Sequence, residues 1–250
     1  MEVQMQFEIT RNDITNMAVD AIVLPANLRL REGSGTSKAI FEKAGRKELE
    51  KACKGALKKY RQPYRGGAIP TLAFNLEAKF IIHSIVPKWV DGKHHEYELL
   101  SSAYLSALGL ADVMSCESIA FPLLASGNNR FDLNIAFEIA KESIESYQPT
   151  NKLKHVILVL YDAGAMQIAR TQGLFVEEVI DDVYTLANDE NYVLPGQRAI
   201  NCGLDLAGKF LDDGINMAMA YLDDQENRKK IIQGGINIAQ MAIMIVNRKE

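Results

Sequence analysis

The hydrophobic pattern changes character near residue 162. Up to there, short apolar or alternating runs take turns with longer stretches of helical period. Met5 to Ile9 alternates apolar and polar residues, as a half-exposed strand does. Ala21 to Leu24 is short and wholly apolar, which predicts a central strand covered on both faces. Ala68 to Phe74, Phe80 to Val86 and Ile119 to Leu124 are further β-rich runs, and His155 to Tyr161 is expected to close the sheet. Glu42 to Tyr60 reads as one helix, with Leu49, Ala52, Cys53 and Ala56 inward and a lysine-rich outer side. Tyr97 to Met114 places Leu100, Tyr104, Leu108 and Ala111 at helical spacing for packing on a sheet. Asp132 is the predicted N-cap of a further helix, whose stripe is Phe137, Ala140, Ile144 and Tyr147. Strands alternating with helices predict a three-layer α/β/α sandwich. Its ligand crevice belongs at the carboxyl ends of the central strands.

After Asp162 the β-like runs stop and apolar stripes of helical period multiply. Phe175, Val176, Val179, Ile180 and Val183 form one; Leu204, Ala207, Leu211, Ile215, Ala218 and Leu222 form a second. A third runs from Ile231 through Ile238 and Ala242 to Val246, and Pro195-Gly196 marks the clearest break. The expected organisation is an α/β domain over residues 1–165 and an all-helical extension over 166–250. The extension carries no legible chemistry. Its stripes are expected to pack on the first domain, on a second copy of the chain or on a protein partner.

Composition narrows the function classes. A net charge of −4 with no long basic run gives no reason to expect broad nucleic-acid binding, though a local basic patch for an acidic ligand stays open. The N-terminus lacks a signal-peptide pattern, and no apolar run approaches the roughly 20 residues that span a bilayer. Three distant cysteines, Cys53, Cys116 and Cys202, fit neither a disulfide framework nor a structural zinc site. A cytoplasmic protein without a metal or cofactor of its own is the expectation.

The stretch that organises the rest runs from Asn12 to Gly45. Strand Ala21–Leu24 leads through Pro25-Ala26-Asn27 to Gly33-Ser34-Gly35-Thr36-Ser37 and a helix start at Lys38-Ala39-Ile40. Glycines let backbone N–H groups approach an anion, and a helix N-terminus adds positive partial charge. The same glycines could serve only to turn the chain. Asp13 reads as a turn residue or cap, and Asn27 as a residue that bonds its own backbone. His83, inside an apolar strand, reads as a hydrogen-bonded core residue. His94-His95 has no third ligand at convincing spacing.

Three stretches, in order, resemble the macrodomain family: Asp13-Ile14-Thr15 with Val19 to Val23, Ala26-Asn27, the glycine loop and Ala39-Ile40-Phe41; Asn75 to Pro87; and Ser118 to Gly127. The resemblance implies a macrodomain sandwich with a mixed central sheet and a ligand of ADP-ribose or an ADP-ribosylated target. It implies that Asp13 accepts from the adenine amino group, with the Ile14 backbone nearby. Backbone N–H groups of Gly33, Ser34, Gly35 and Thr36, and of Ser126, Gly127, Asn128 and Asn129, would hold the pyrophosphate. Asn27 would reach the distal ribose.

Several positions depart from the family's pattern. Leu24 and Pro25 stand where it usually has Asn and Ala. Ser37 and Lys38 stand where one hydrolytic branch carries an acid that helps activate water. Asn129 and Arg130 stand where an aromatic and a glycine are usual, followed by the expected aromatic, Phe131. Arg130 is either a phosphate or carboxylate partner or a solvent-facing loop residue. Two function classes follow: a binding module for ADP-ribose, or a hydrolase with an unusual base, for which Asn27, able to orient a water, and Asp132, able to take a proton, are the catalytic candidates.

Overall fold

The computed structural model describes residues 5–60 and 62–189. Its first compact unit runs to Val179 and holds a seven-stranded mixed sheet in the order β3-β4-β2-β5-β6-β1-β7. The strands are β1 Gln6–Arg11, β2 Ala21–Ala26, β3 Ala68–Leu72, β4 Phe80–Ile85, β5 Ser118–Pro122, β6 His155–Leu160 and β7 Glu177–Glu178. Only β3 runs antiparallel to its neighbour. The helices of this unit are α1 Thr36–Ala44, α2 Arg46–Lys59, α3 Glu96–Val113, α4 Leu133–Ser146 and α5 Ala163–Thr171.

The apolar strands are covered on both faces, as their composition requires. Along β2, Ala21 and Val23 join a core with α3, α4 and α5, while Ile22 and Leu24 join a second core with α1 and α2. Period-two alternation thus divides one short strand between two helical layers. The buried Tyr104, Phe121 and Phe137 fill the first core, and Phe41, Ile40 and Leu49 the second.

Four expectations need correction. β6 does not close the sheet, because β1 pairs along its outer side in register Gln6↔His155 to Arg11↔Leu160. The helix read over Glu42 to Tyr60 is two, separated at Gly45, whose φ of 98° is open to glycine and breaks the helical path. The sheet also takes a strand from beyond residue 165, since Glu177 and Glu178 pair with Thr10 and Arg11. A two-residue strand is too short to show a period. The same pairing dissolves the first tail stripe: α5 ends at Thr171, and Phe175 and Val179 are exposed outside any helix.

The second unit begins at Ile180. Its described part is α6, Asp182–Asn188, capped by the Asp181 carboxylate, which accepts from the Tyr184 N–H at 2.8 Å. The second and third stripes and the Pro195-Gly196 break lie outside the described residues. No helix among the described residues is long and apolar enough to cross a membrane.

Candidate functional site

β1, β2, β4, β5 and β6 are parallel, so their carboxyl ends share one edge of the sheet. The chain leaves β2 toward β4 on one side and meets β5 on the other, which makes the β2/β5 gap the topological switch point. The gap opens physically there. β2 stays in register with β4 up to Ala26↔Ile85, but its pairing with β5 ends at Ile22↔Ala120. Two glycine-bearing loops flank the opening: residues 27–35 after β2 and residues 123–131 after β5.

In the first loop the Asn27 side chain works on its own backbone. Its Oδ1 accepts from the N–H groups of Arg29 and Arg31 at 3.0 and 3.2 Å, and its Nδ2 donates to the Arg31 carbonyl at 2.7 Å. The amide expected to reach a ribose is therefore engaged in shaping the loop. Gly35 ends the loop at φ 56°, ψ −130°, and its carbonyl accepts the first bond of α1 from Ala39. Gly33 also departs from expectation, because its N–H donates to the buried Ser37 hydroxyl at 3.0 Å. That leaves the N–H groups of Ser34, Gly35 and Thr36 with no internal acceptor among the described residues.

The second loop is closed by its own backbone, Arg130 N–H to the Gly127 carbonyl and Phe131 N–H to the Ala125 carbonyl. Ala125 and Arg130 both take left-handed φ values, 64° and 63°. The buried Tyr104 hydroxyl anchors the entrance by accepting from the Leu124 N–H at 2.9 Å. The N–H groups of Ser126, Gly127, Asn128 and Asn129 again have no internal acceptor among the described residues. Asn128 Nδ2 donates to Ser34 Oγ, so the two loops are clasped together.

A third loop buttresses the second. The Trp89 N–H donates to the Asn129 carbonyl at 2.8 Å, and its ring meets Phe131 and Tyr97 edge-on at 5.3 and 5.4 Å. Buried Glu96 holds this loop by accepting from the N–H groups of Val90, Asp91, Gly92 and His94. Burial alone would raise its carboxyl, but these donors and its own N–H outweigh that and bring it to about 2. Asp91, His94 and Glu96 bring potential metal ligands within 4.8 Å of one another. The carboxylate oxygens of Asp91 and Glu96 already accept hydrogen bonds from the loop's N–H groups, and Asp91 Oδ1 lies 2.9 Å from His94 Nδ1, so the group acts as a staple.

At the end of β1, Asp13 caps the short 3-10 turn Ile14–Asn16, accepting from the Thr15 N–H and hydroxyl at 2.9 and 2.8 Å. That turn packs against α1 and β5, which brings Asp13 and Ile14 to the edge that carries both loops. Asp132 caps α4 as expected, accepting from Asn134 and Ile135 at 2.9 and 3.2 Å. His83 is fully buried in β4, 2.9 Å from Thr71 Oγ1, and burial lowers its ring to about 4. It belongs to the core.

The Macro domain family pattern matches residues 23–140. An O-acetyl-ADP-ribose deacetylase of Escherichia fergusonii is 37% identical over 158 residues, covering 63% of this chain and 89% of that protein. The chain belongs to the Macro domain family. A macro domain-containing protein of Xanthomonas axonopodis pv. citri is 38% identical over 178 residues, 70% of this chain and 98% of its own length. Among solved structures, an Oceanobacillus iheyensis macrodomain mutant with ADPR superposes with a TM-score of 0.63 at 32% identity. The match covers 66% of this chain and 90% of that one. The same macrodomain with ADP gives the same TM-score and identity, covering 66% and 88%.

Three features of this macrodomain's site were not read from sequence. The Ser34–Asn128 clasp joins residues far apart in the chain. The Ser37 bond to Gly33 and the Trp89 buttress depend on loop geometry. Paired glycines and an aromatic near the second loop were the available signals.

Proposed function

We propose that this macrodomain binds ADP-ribose, free or carried by a larger molecule, in the crevice between the loops after β2 and β5. The observation that carries the reading is the clasped pair of loops. Each presents backbone N–H groups that have no internal acceptor among the described residues, those of Ser34, Gly35 and Thr36 and those of Ser126, Gly127, Asn128 and Asn129. Converging amides suit a pyrophosphate, whose charge needs several donors at short range. Asp13, with the Ile14 backbone, takes the adenine. Asn27 shapes the distal-ribose end, which Phe131, buried against Trp89, supports from behind and where Arg130 meets an anion. Similarity to macrodomain structures with ADPR and with ADP supports this ligand.

Hydrolysis is the second reading, supported by relatives named O-acetyl-ADP-ribose deacetylase. Binding is favoured because the place of the hydrolytic branch's acid holds Ser37, whose hydroxyl accepts from the Gly33 N–H, and Lys38, a cation. A serine hydroxyl is a poor base at neutral pH, and Asn27 cannot take a proton. Calorimetry with ADP-ribose, ADP and ribose 5-phosphate tests the binding reading. ADP-ribose is expected to bind more tightly than ribose 5-phosphate, and the absence of saturable binding would defeat it. Single-turnover release from a glutamate-linked ADP-ribosylated protein tests the second.

A further inference from the structure

The loop that approaches the clasp from β2 carries Arg29 and Arg31, both exposed. Among the described residues neither side chain has a carboxylate within ion-pair distance, and the same holds for Arg130 on the second loop. The nearby acids are already engaged. Glu32, next in sequence to Arg31, forms a two-pronged pair with Arg46 at 2.6 and 2.9 Å, and Arg46 also takes Glu42. Asp132 is held as the cap of α4, and Asp91 pairs with His94. Uncompensated guanidinium groups therefore stand on the mouth of a protein whose net charge is −4.

Their placement follows from the clasp. Ser34 and Asn128 touch, Arg31 lies three residues before the first and Arg130 two after the second. At about 3.8 Å per residue, their Cα atoms lie within roughly 11 and 8 Å of the clasp residues, and Arg29 stands beside Arg31 because both N–H groups share Asn27 Oδ1 at 3.0 and 3.2 Å. The Asn27 amide fixes the backbone of Arg29 and Arg31, so both side chains leave from an ordered platform.

We propose that Arg29 and Arg31, with Arg130 opposite, form a rim that selects ADP-ribose attached to a protein segment rich in Asp and Glu. This rests on the ADP-ribose reading and adds the class of carrier. Planar guanidinium forks pair two-pronged with carboxylates. With a net charge of −4 and no long basic run, the chain offers a polynucleotide no continuous track, whereas a short acidic segment needs only the mouth. The rim acts on the carrier and leaves the nucleotide to the loops.

The test uses the full chain and two serine-linked ADP-ribosylated peptides, identical except that Glu flanks the serine in one and Gln in the other. The acidic peptide should bind about tenfold tighter, the order expected of two partly screened charge pairs. The preference should shrink as salt rises through the range where the Debye length falls below about 8 Å. In Arg29→Gln/Arg31→Gln the preference should vanish, while free ADP-ribose keeps its affinity within about twofold. Equal binding of both peptides by the parent would overturn the proposal, as would a preference that survives the double substitution. Tighter binding of an ADP-ribosylated oligonucleotide than of the acidic peptide would overturn it in favour of a nucleic-acid carrier. An equal loss for free ADP-ribose in the variant would mean that these arginines serve the nucleotide itself. If the parent binds no free ADP-ribose at all, the functional reading fails first.

Discussion

Gly35 is the position where backbone geometry and ligand chemistry meet most sharply. At φ 56°, ψ −130° it occupies a region that residues with a Cβ rarely enter. A Cβ built there meets nothing within 4 Å, so Gly35→Ala creates no clash with a neighbour. The cost is conformational, on the order of 1–3 kcal/mol. If the loop holds its shape, that cost appears as a fall in melting temperature of about 2–12 °C for a domain of this size. If the loop relaxes instead, the N–H groups of Gly35 and Thr36 turn away from the crevice. Losing one charge-assisted bond of about 1.5–3 kcal/mol then weakens ADP-ribose binding about ten- to a hundredfold. Thermal denaturation and calorimetry on the same preparation read both routes. Gly127→Ala is the control, since a Cβ there also meets nothing within 4 Å and its φ is not positive. Its stability should stay within about 0.5 kcal/mol of the parent. A Gly35→Ala protein equal to the parent in both stability and affinity would refute the reasoning.

Asp13→Asn keeps an oxygen for the Thr15 cap but removes the charge. Stability should hold while ADP-ribose affinity falls by about 1–3 kcal/mol, with ribose 5-phosphate unaffected; unchanged ADP-ribose binding would rule out the adenine role. His83 stays neutral in the fold down to about 4, against an ordinary value of 6.5. The unfolded chain therefore takes up this proton first as pH falls. Its contribution is intact at pH 7 and is lost between about 6.5 and 4, an effect of about 2–3 kcal/mol by pH 4.5. Urea midpoints that stay flat across that window would contradict it. Release of ADP-ribose from a glutamate-linked protein should be slow, since general-base assistance is worth about 10²–10⁴-fold. Fast single-turnover release would reveal a base, with Asp132 the first residue to replace.

The strands of the sheet were legible wherever an apolar run was short and flanked by turn residues, as at Ala21–Leu24 and Ile119–Leu124. Asp132 was legible as a cap because an N-cap is a local event, decided by a carboxylate and the next few N–H groups. Strand order was not legible, because β1 lies beside β6 and nothing local records which neighbour a strand takes. Nor was the break at Gly45, since a single glycine inside a helical pattern is usually tolerated. In the site, the residue types on both loops were readable and their allegiances were not. Asn27 and Gly33 satisfy their own loop, while Ser34 reaches Asn128 across the crevice. These are outcomes of tertiary geometry.

The central claim concerns the N–H groups on the two clasped loops, and backbone amide NMR reads them one by one. On titration with ADP-ribose, the largest shifts should fall on Ser34, Gly35 and Thr36 and on Ser126, Gly127, Asn128 and Asn129. Gly33, whose N–H already bonds Ser37, should move less. Shifts centred elsewhere, such as the groove lined by Ser101, Leu105 and Ser143 between α3 and α4, would contradict the account.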